Sequence, residues 1–161
     1  MTLARTMQIG SALLILSPAL AHVHPWGNVR AASQPDKPKL TGATIPVEVQ
    51  QILERKCGDC HSESTHWPVY SQFAPASWLM EHDVFEGRGQ LNLSRWEEYS
   101  RESQVDLLTR IGAEVRSGEM PLKHYLLLHP DAKLTSEDRQ MIYEWTRAER
   151  KRVKSQISEQ K

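Results

Sequence analysis

Apolar residues recur at helical spacing in four stretches of the chain, whereas no stretch of useful length alternates between apolar and polar residues as a half-buried strand does. The first stretch opens after Pro46, a residue suited to the first turn of a helix, and it ends at the cysteines near position 57. Its apolar positions are Val49, Ile52 and Leu53, with Lys56 on the same face. The pattern predicts an all-α fold.

The second stretch is "PASWLMEHDVFEGRG", in which a helix is predicted to stop at Gly87 and Gly89. Its helical stripe, taken as the buried face, consists of Trp78, Leu79, His82 and Phe85.

The third and fourth helices are predicted from capping patterns. Ser94 and Glu97 form a capping box ahead of a helix that ends at Gly118. Thr135 pairs in the same way with Asp138 ahead of the last helix. The buried face predicted for the last helix consists of Met141, Ile142 and Trp145, with Trp96 and Trp145 packing the two long helices together. Long loops are expected between the second and third helices and before the last.

The N-terminus has the features of an export signal. Arg5 precedes an apolar run from Ile9 to Leu20, and an A-x-A cleavage site ends at Ala21, so the mature chain is expected to start near His22. An uncleaved membrane anchor is the alternative, and either interpretation places the domain outside the cytoplasm, in the periplasm. The predicted organisation is a signal peptide at 1–21, a proline-containing linker at 22–45, one domain at 46–150 and a charged tail at 151–161.

The 161-residue chain carries 20 basic and 20 acidic side chains, so its formal net charge is zero. A nucleic-acid-binding role, which needs a basic face, is not supported.

The chain's only two cysteines lie in "KCGDCHSESTHWPVYS", where three chemistries are possible. A thiol redox pair would need Cys57 and Cys60 at the start of a helix after a strand, but they follow a helix in an all-α pattern. Zinc could take both cysteines with His124 and His129, yet the gap far exceeds that of a compact finger. Covalent haem accounts for the whole of "CGDCH", with the two cysteines bonded to the porphyrin vinyl groups and His61 as proximal iron ligand.

A sixth iron ligand would come from a residue after this motif. Met120 is favoured because it follows a helix end and precedes Pro121, in a loop from which a flexible thioether can reach a cavity. His82 is the main rival, and an open or water-filled site is a further alternative. The candidates weighed below these are His66, Met80, His124, His129 and Met141.

Three blocks of the sequence, "CGDCHSESTHWPVYSQFAPASWLM", "EGRGQLNLSRW" and "SGEMPLKHYLLLHPDAKLTSED", resemble the haem-binding domain family of bacterial exported c-type cytochromes. The resemblance runs from about Pro46 to Arg147. More distantly, "MP" after C-x-x-C-H is similar to the class I cytochrome c pattern, in which this methionine is the distal ligand. The resemblance implies a small cytochrome c-like helical domain wrapped around one covalent haem c.

Several aromatic and basic side chains are candidates for a supporting role. The turn at Trp67-Pro68 is expected to supply the carbonyl that accepts the free ring N–H of the proximal histidine. Hydrogen-bond donors to the haem propionates are expected among Trp67, Tyr70, Trp78 and Arg88.

The leading hypothesis is an exported monohaem cytochrome that passes single electrons between redox partner proteins and is not an enzyme. The alternative is a five-coordinate haem enzyme of the peroxidase type, or a sensor of small ligands, with His82 or another distal group acting on the bound molecule. A third possibility is a module docked to a membrane redox complex through an uncleaved N-terminus.

Overall fold

The computed structural model describes residues 16–159, and within that range the chain is helical with no strand. The all-α prediction is therefore confirmed. The α-helices are α1 (Val47–Lys56), α2 (Gly58–His61), α3 (Ala76–Gln90), α4 (Arg101–Ser117), α5 (Lys123–Leu128) and α6 (Ser136–Glu159). Short 3-10 helices span Val69–Gln72, Leu93–Glu98 and Pro130–Ala132, and residues 16–20 are also helical.

The two longest helices, α4 and α6, pack along each other and carry much of the core. A Cβ atom at Gly112 would lie 2.9 Å from Thr146 Oγ1, so a larger residue there would have to displace the Thr146 side chain. Trp96 and Trp145 are 1% and 4% exposed beside Ile142, which confirms their predicted packing role.

Helix α1 forms as the apolar pattern predicts. Pro46 is its N-cap, and Val49, Ile52 and Leu53 are buried. Cys57 ends α1 and at the same time caps α2, so the cysteine motif follows the helix without an intervening loop.

Helix α3 buries a different face from the predicted one. Leu79 and Phe85 are 52% and 45% exposed. The helix also continues through both predicted stop glycines to Gln90. Two of its buried positions face backbone or polar groups: Gly87 faces the Cys60 backbone, and Glu81 Oε1 lies 2.8 Å from His24 Nδ1. The buried residues of the helix are Ser77, Met80, Glu81, Val84 and Gly87.

The capping box predicted at Ser94 and Glu97 is wrong. Asn92 caps the 3-10 helix there, and α4 starts only at Arg101. The Ser100 side chain is the cap of α4, accepting from the amide of Ser103 at 3.1 Å.

The predicted C-terminus of α4 and the predicted N-terminus of α6 are confirmed. Gly118 ends α4 in the left-handed conformation, with φ of 78°, which favours glycine. Ahead of α6, the amide of Asp138 donates to Thr135 Oγ1 at 3.1 Å, and the amide of Thr135 donates to Asp138 Oδ2 at 2.9 Å.

Residues 22–45, the predicted linker, lie against the helices. Val29 and Leu40 are buried, and the Leu40 amide donates to the Leu93 carbonyl at 2.8 Å. The indole of Trp78 donates to the Val23 carbonyl at 2.9 Å. Helix α6 runs through the first residues of the predicted tail and buries Val153. The small number of large apolar residues at 22–45 predicted a linker, but Val29 and Leu40 are among those few and are buried, and the remaining contacts use backbone groups and polar side chains.

Part of the predicted export signal, Arg5 with residues 9–15, lies outside the described residues. Among residues 16–159, no helix combines the length and the apolar character needed to cross a membrane.

Candidate cofactor site

One turn of helix presents the cysteine motif to a cavity. Helix α2 holds Asp59, Cys60 and His61, and its first hydrogen bond joins the His61 amide to the Cys57 carbonyl at 3.0 Å. Both cysteines and His61 line one cavity of about 560 Å³. Cofactor sites typically occupy roughly 300–1,000 Å³, so the volume suits a large organic group.

Apolar side chains from helices α1 and α4, from the segment that follows α3 and from the loop after α4 form most of the cavity wall. The apolar lining consists of Leu53, Leu91, Leu93, Leu107, Ile111, Val115, Met120, Pro121 and Leu122. Such a wall offers a ligand a largely apolar surface, with polar groups beside it that can orient the ligand.

The His61 ring is held through Nδ1, which lies 3.0 Å from the Gly87 carbonyl and 3.1 Å from the Leu91 carbonyl. Two carbonyl acceptors assign the proton to Nδ1. Burial lowers the pKa of His61 despite these bonds, so the ring is held neutral. Nε2 then keeps its lone pair, and no described residue hydrogen-bonds to it, which is the arrangement of a metal-ligating histidine.

The acceptor for His61 was expected at the Trp67-Pro68 turn, and that prediction is wrong. The Pro68 carbonyl accepts instead from the Ser71 amide and hydroxyl, at 2.9 and 2.6 Å. The true acceptors are the Gly87 carbonyl, which also accepts from the Leu91 amide at 2.9 Å, and the carbonyl of Leu91, the C-cap of α3.

Gly87 allows α3 to reach α2. A Cβ atom at this position would lie 2.6 Å from the Cys60 carbonyl oxygen and 3.0 Å from Cys60 Cβ. The missing side chain therefore brings the Gly87 carbonyl within reach of His61.

Met120 lines the same cavity, from the loop between α4 and α5. The left-handed turn at Gly118 directs this loop back, and the Met120 amide bonds to the Glu114 carbonyl at 3.4 Å. His82 also lines the cavity and lies edge-on to Trp26, with ring centroids 5.0 Å apart. The structure thus brings both leading candidates for a sixth ligand to the site.

Of the other candidates, only His124 lines the cavity, and its Nε2 pairs with Asp83 at 2.8 Å. Met80 is 8% exposed in α3, and Met141 packs against the main core. His66, Met80, His129 and Met141 are absent from the lining.

Neither competing use of the cysteines gains support. Both cysteines are free, and burial raises the pKa of Cys57 and of Cys60 to about 12, whereas a reactive thiolate pair needs a lowered pKa. His129, a proposed zinc ligand, is held between the Tyr70 hydroxyl and the stacked ring of Tyr125. In the described part of the chain, no three metal-binding side chains converge as a zinc site requires.

The structure does not bring Trp67 and Tyr70 to the cavity. The Arg30 guanidinium lies over the Trp67 ring at 4.3 Å, and the Tyr70 hydroxyl pairs with His129. Trp78 and Arg88 also lie outside the lining, because the N-terminal segment takes their donors.

Polar residues that the sequence did not single out line the cavity instead. They include Arg110 and Lys56, whose ammonium pairs with Asp138 at 2.8 Å, and the Tyr125 hydroxyl donates to Asp59 Oδ2 at 2.9 Å. Two local signals could have found them: Lys56 directly precedes the first cysteine, and Arg110 shares a helical face with Leu107.

An all-α domain with C-x-x-C-H on a cavity wall, and a neutral histidine whose second nitrogen is free, defines a haem-protein architecture. The chain matches the family described as "Haem-binding domain" over residues 18–148, and it belongs to that family. The residues present fit haem, the cofactor that the family implies. No curated protein and no solved structure matches the chain.

Proposed function

We propose that the protein is an exported monohaem c-type cytochrome that transfers single electrons, with His61 and Met120 as axial ligands. The observation that carries the proposal is the shared cavity: Cys57, Cys60 and His61 on one helical turn, with Met120 in the same lining.

The cysteines would fix the cofactor covalently. Each thiol adds across one vinyl group: its sulfur forms a bond to one vinyl carbon, and its hydrogen passes to the other. The addition balances without an oxidant or reductant. Because Cys57 and Cys60 lie on the same turn as His61, attachment through them also fixes the position of the imidazole relative to the porphyrin.

The two proposed axial ligands suit electron transfer. Haem supplies an iron that cycles between the ferrous and ferric states. A neutral thioether from Met120 raises the reduction potential relative to harder ligands. Nδ1–H bonds to the Gly87 and Leu91 carbonyls raise the basicity of His61 and fix the plane of its ring. The imidazole therefore needs to move little when the charge of the iron changes.

Location and partners are part of the proposal. Export would place the domain in the periplasm, where haem c is attached and where two spare thiols would otherwise tend to oxidise. The apolar run from Ile9 to Leu20, followed by the A-x-A site that ends at Ala21, supports export, with or without cleavage near His22. The partners would then be redox proteins of that compartment.

A five-coordinate enzyme or ligand sensor is the second candidate, because His82 also lines the cavity. In that arrangement Met120 would be a wall residue and His82 would act on a molecule bound at the open position. The two candidates differ in the number of protein ligands on iron.

The test is the spectrum of the holoprotein, made in a host that attaches haem c, for the wild type and for Met120→Ala, with Met80→Leu as the control. We expect the wild type to retain haem on a denaturing gel, to have a low-spin spectrum and not to bind carbon monoxide. Met120→Ala should become high-spin and bind carbon monoxide, while Met80→Leu keeps the wild-type spectrum.

Other results would contradict the proposal in different ways. A wild type that binds carbon monoxide, and whose spectrum Met120→Ala leaves unchanged, would favour the enzyme or sensor. Loss of the low-spin spectrum in His82→Ala but not in Met120→Ala would make His82 the sixth ligand. A wild-type chain without covalent haem would refute the c-type assignment.

A further inference from the structure

Arg88 ties the loop after the haem motif to the N-terminal segment. Its side chain is 11% exposed. The Nε atom donates to the Ser62 carbonyl at 2.8 Å, and Nη2 donates to Thr65 Oγ1 at 3.0 Å. On the other side, Nη1 donates to the Val29 carbonyl at 3.0 Å and Nη2 to Ser33 Oγ at 2.9 Å. One guanidinium therefore joins three separate parts of the chain.

Glu63 ties the same loop to the segment after α3. Its carboxylate is 3% exposed, accepts from Asn92 Nδ2 at 2.8 Å and from Arg95 Nε at 3.1 Å, and lies 3.4 Å from Arg88 Nη1. A buried carboxylate held by three donors has a fixed position.

These contacts surround the hydrogen bonds of the haem ligand. The two carbonyls that accept from His61 Nδ1 belong to the residues immediately before Arg88 and Asn92. Arg88 and Asn92 both bind Glu63, which lies two residues after His61. The imidazole and its two acceptors are thus closed into a ring of contacts that runs through Glu63.

We propose that Glu63 and Arg88 are positioning residues for His61, setting the plane of its ring and the strength of its Nδ1–H bonds from outside the cavity. The inference rests on the proposed function, in which His61 binds the haem iron. Neither side chain lines the cavity, so their contacts reach His61 only through this ring, and a charge-conserving substitution separates those contacts from a through-space effect of charge.

The charge-conserving variant Arg88→Lys tests the inference in the holoprotein. An ammonium has three donors on one atom and cannot reproduce the spread of the guanidinium contacts. Weaker Nδ1–H bonds make His61 a poorer electron donor, so the reduction potential should rise, and the low-spin electron paramagnetic resonance signal should shift or broaden. If Arg88 acted on the iron only through its positive charge, Arg88→Lys would leave both the potential and the signal unchanged, because lysine carries the same charge.

Arg152→Lys is the matched control, because Arg152 also binds a buried carboxylate, that of Glu149, but on α6 and outside the ring of contacts. It should keep the wild-type potential and signal. Thr65→Val removes one anchor of Arg88 with little change in shape, and it should raise the potential by less than Arg88→Lys does.

A low-spin Arg88→Lys protein with wild-type potential and signal would overturn the inference and leave the proposed function intact. If Arg88→Lys does not fold, Thr65→Val decides, since a wild-type potential there would also overturn it. A wild-type chain without covalent haem would instead refute the proposed function, and this inference with it.

Discussion

At the scale of single residues, Gly87 decides whether α3 can approach the haem motif. Its carbonyl binds His61, and its missing side chain faces the Cys60 backbone. Gly89 lies two positions further along the same helix, and a Cβ atom added there would meet no other part of the protein within 4 Å. Of the two glycines, only Gly87 is therefore needed for close packing, although they are near neighbours in sequence.

Alanine at these two positions should have opposite effects. In Gly87→Ala the new methyl group must displace backbone at 2.6 Å, so we expect a loss of about 1–3 kcal/mol in the free energy of unfolding, and less haem attached. Gly89→Ala should gain about 0.5–1 kcal/mol, because alanine favours the helix. Urea unfolding and the haem-to-protein ratio measure both. Equal effects would show that the contact with Cys60 does not constrain the helix.

Local sequence patterns singled out the cysteine motif and Met120, which line the cavity, but not the other polar residues of the lining or the groups that hold His61. Cys57, Cys60 and His61 form a contiguous motif, and Met120 follows a helix end that Gly118 marks. The acceptors of the His61 ring are backbone carbonyls, about which side-chain identity carries no information. Their positions depend on how α3 packs on α2.

At the scale of elements, the start of α4 shows how a capping pattern can mislead. Ser94 and Glu97 have the spacing of a capping box, but Ser94 is buried and accepts from the Glu63 amide at 3.1 Å. The tertiary contact takes the hydroxyl that the cap would need. Ser100 is free of such a contact and caps the helix.

Removing the two candidate caps should therefore give unequal results. Ser100→Ala leaves the Ser103 amide without its acceptor and should cost about 1 kcal/mol in the free energy of unfolding. Glu97→Ala changes an exposed side chain and should stay within about 0.5 kcal/mol of the wild type. Thermal or urea unfolding distinguishes them. A larger loss in Glu97→Ala would restore the capping box as the start of the helix.

The buried face of α3 was mispredicted for a related reason. An apolar stripe predicts burial when a helix packs on an apolar core. Here Glu81 faces His24, with 2.8 Å between Oε1 and Nδ1, and Gly87 faces Cys60. Glu81 and Gly87 are therefore buried against a polar side chain and a stretch of backbone, while Leu79 and Phe85 remain exposed.

At the scale of the whole molecule, the N-terminal segment completes the haem-binding domain. It supplies an acceptor to Trp78, a partner to the 3%-exposed Glu81 and two acceptors to Arg88. The match to the family from residue 18 onward agrees with a domain that includes this segment. Its prolines and few apolar residues predicted a linker, because contacts through backbone groups and polar side chains leave little apolar signature.

Two shortened chains test whether the N-terminal segment is part of the folded domain or only a linker. A chain starting at His22 keeps the contacts of Val23, His24 and Val29, whereas one starting at Pro46 loses all of them. Buried polar groups left without partners cost about 1–3 kcal/mol each, and more when charged. We therefore expect the shorter chain to lose roughly 3–5 kcal/mol in the free energy of unfolding.

Urea unfolding of both holoproteins, each exported behind the same removable leader, is the measurement. The chain from His22 should unfold as a stable domain. Glu81→Gln in the shorter chain should recover only part of its loss, since the substitution removes one buried charge but does not restore the other broken bonds. Equal stability of the two chains would mean that the segment lies against the helices without supporting them. In that case α3 would hold its position, and the His61 acceptors, through α2 alone.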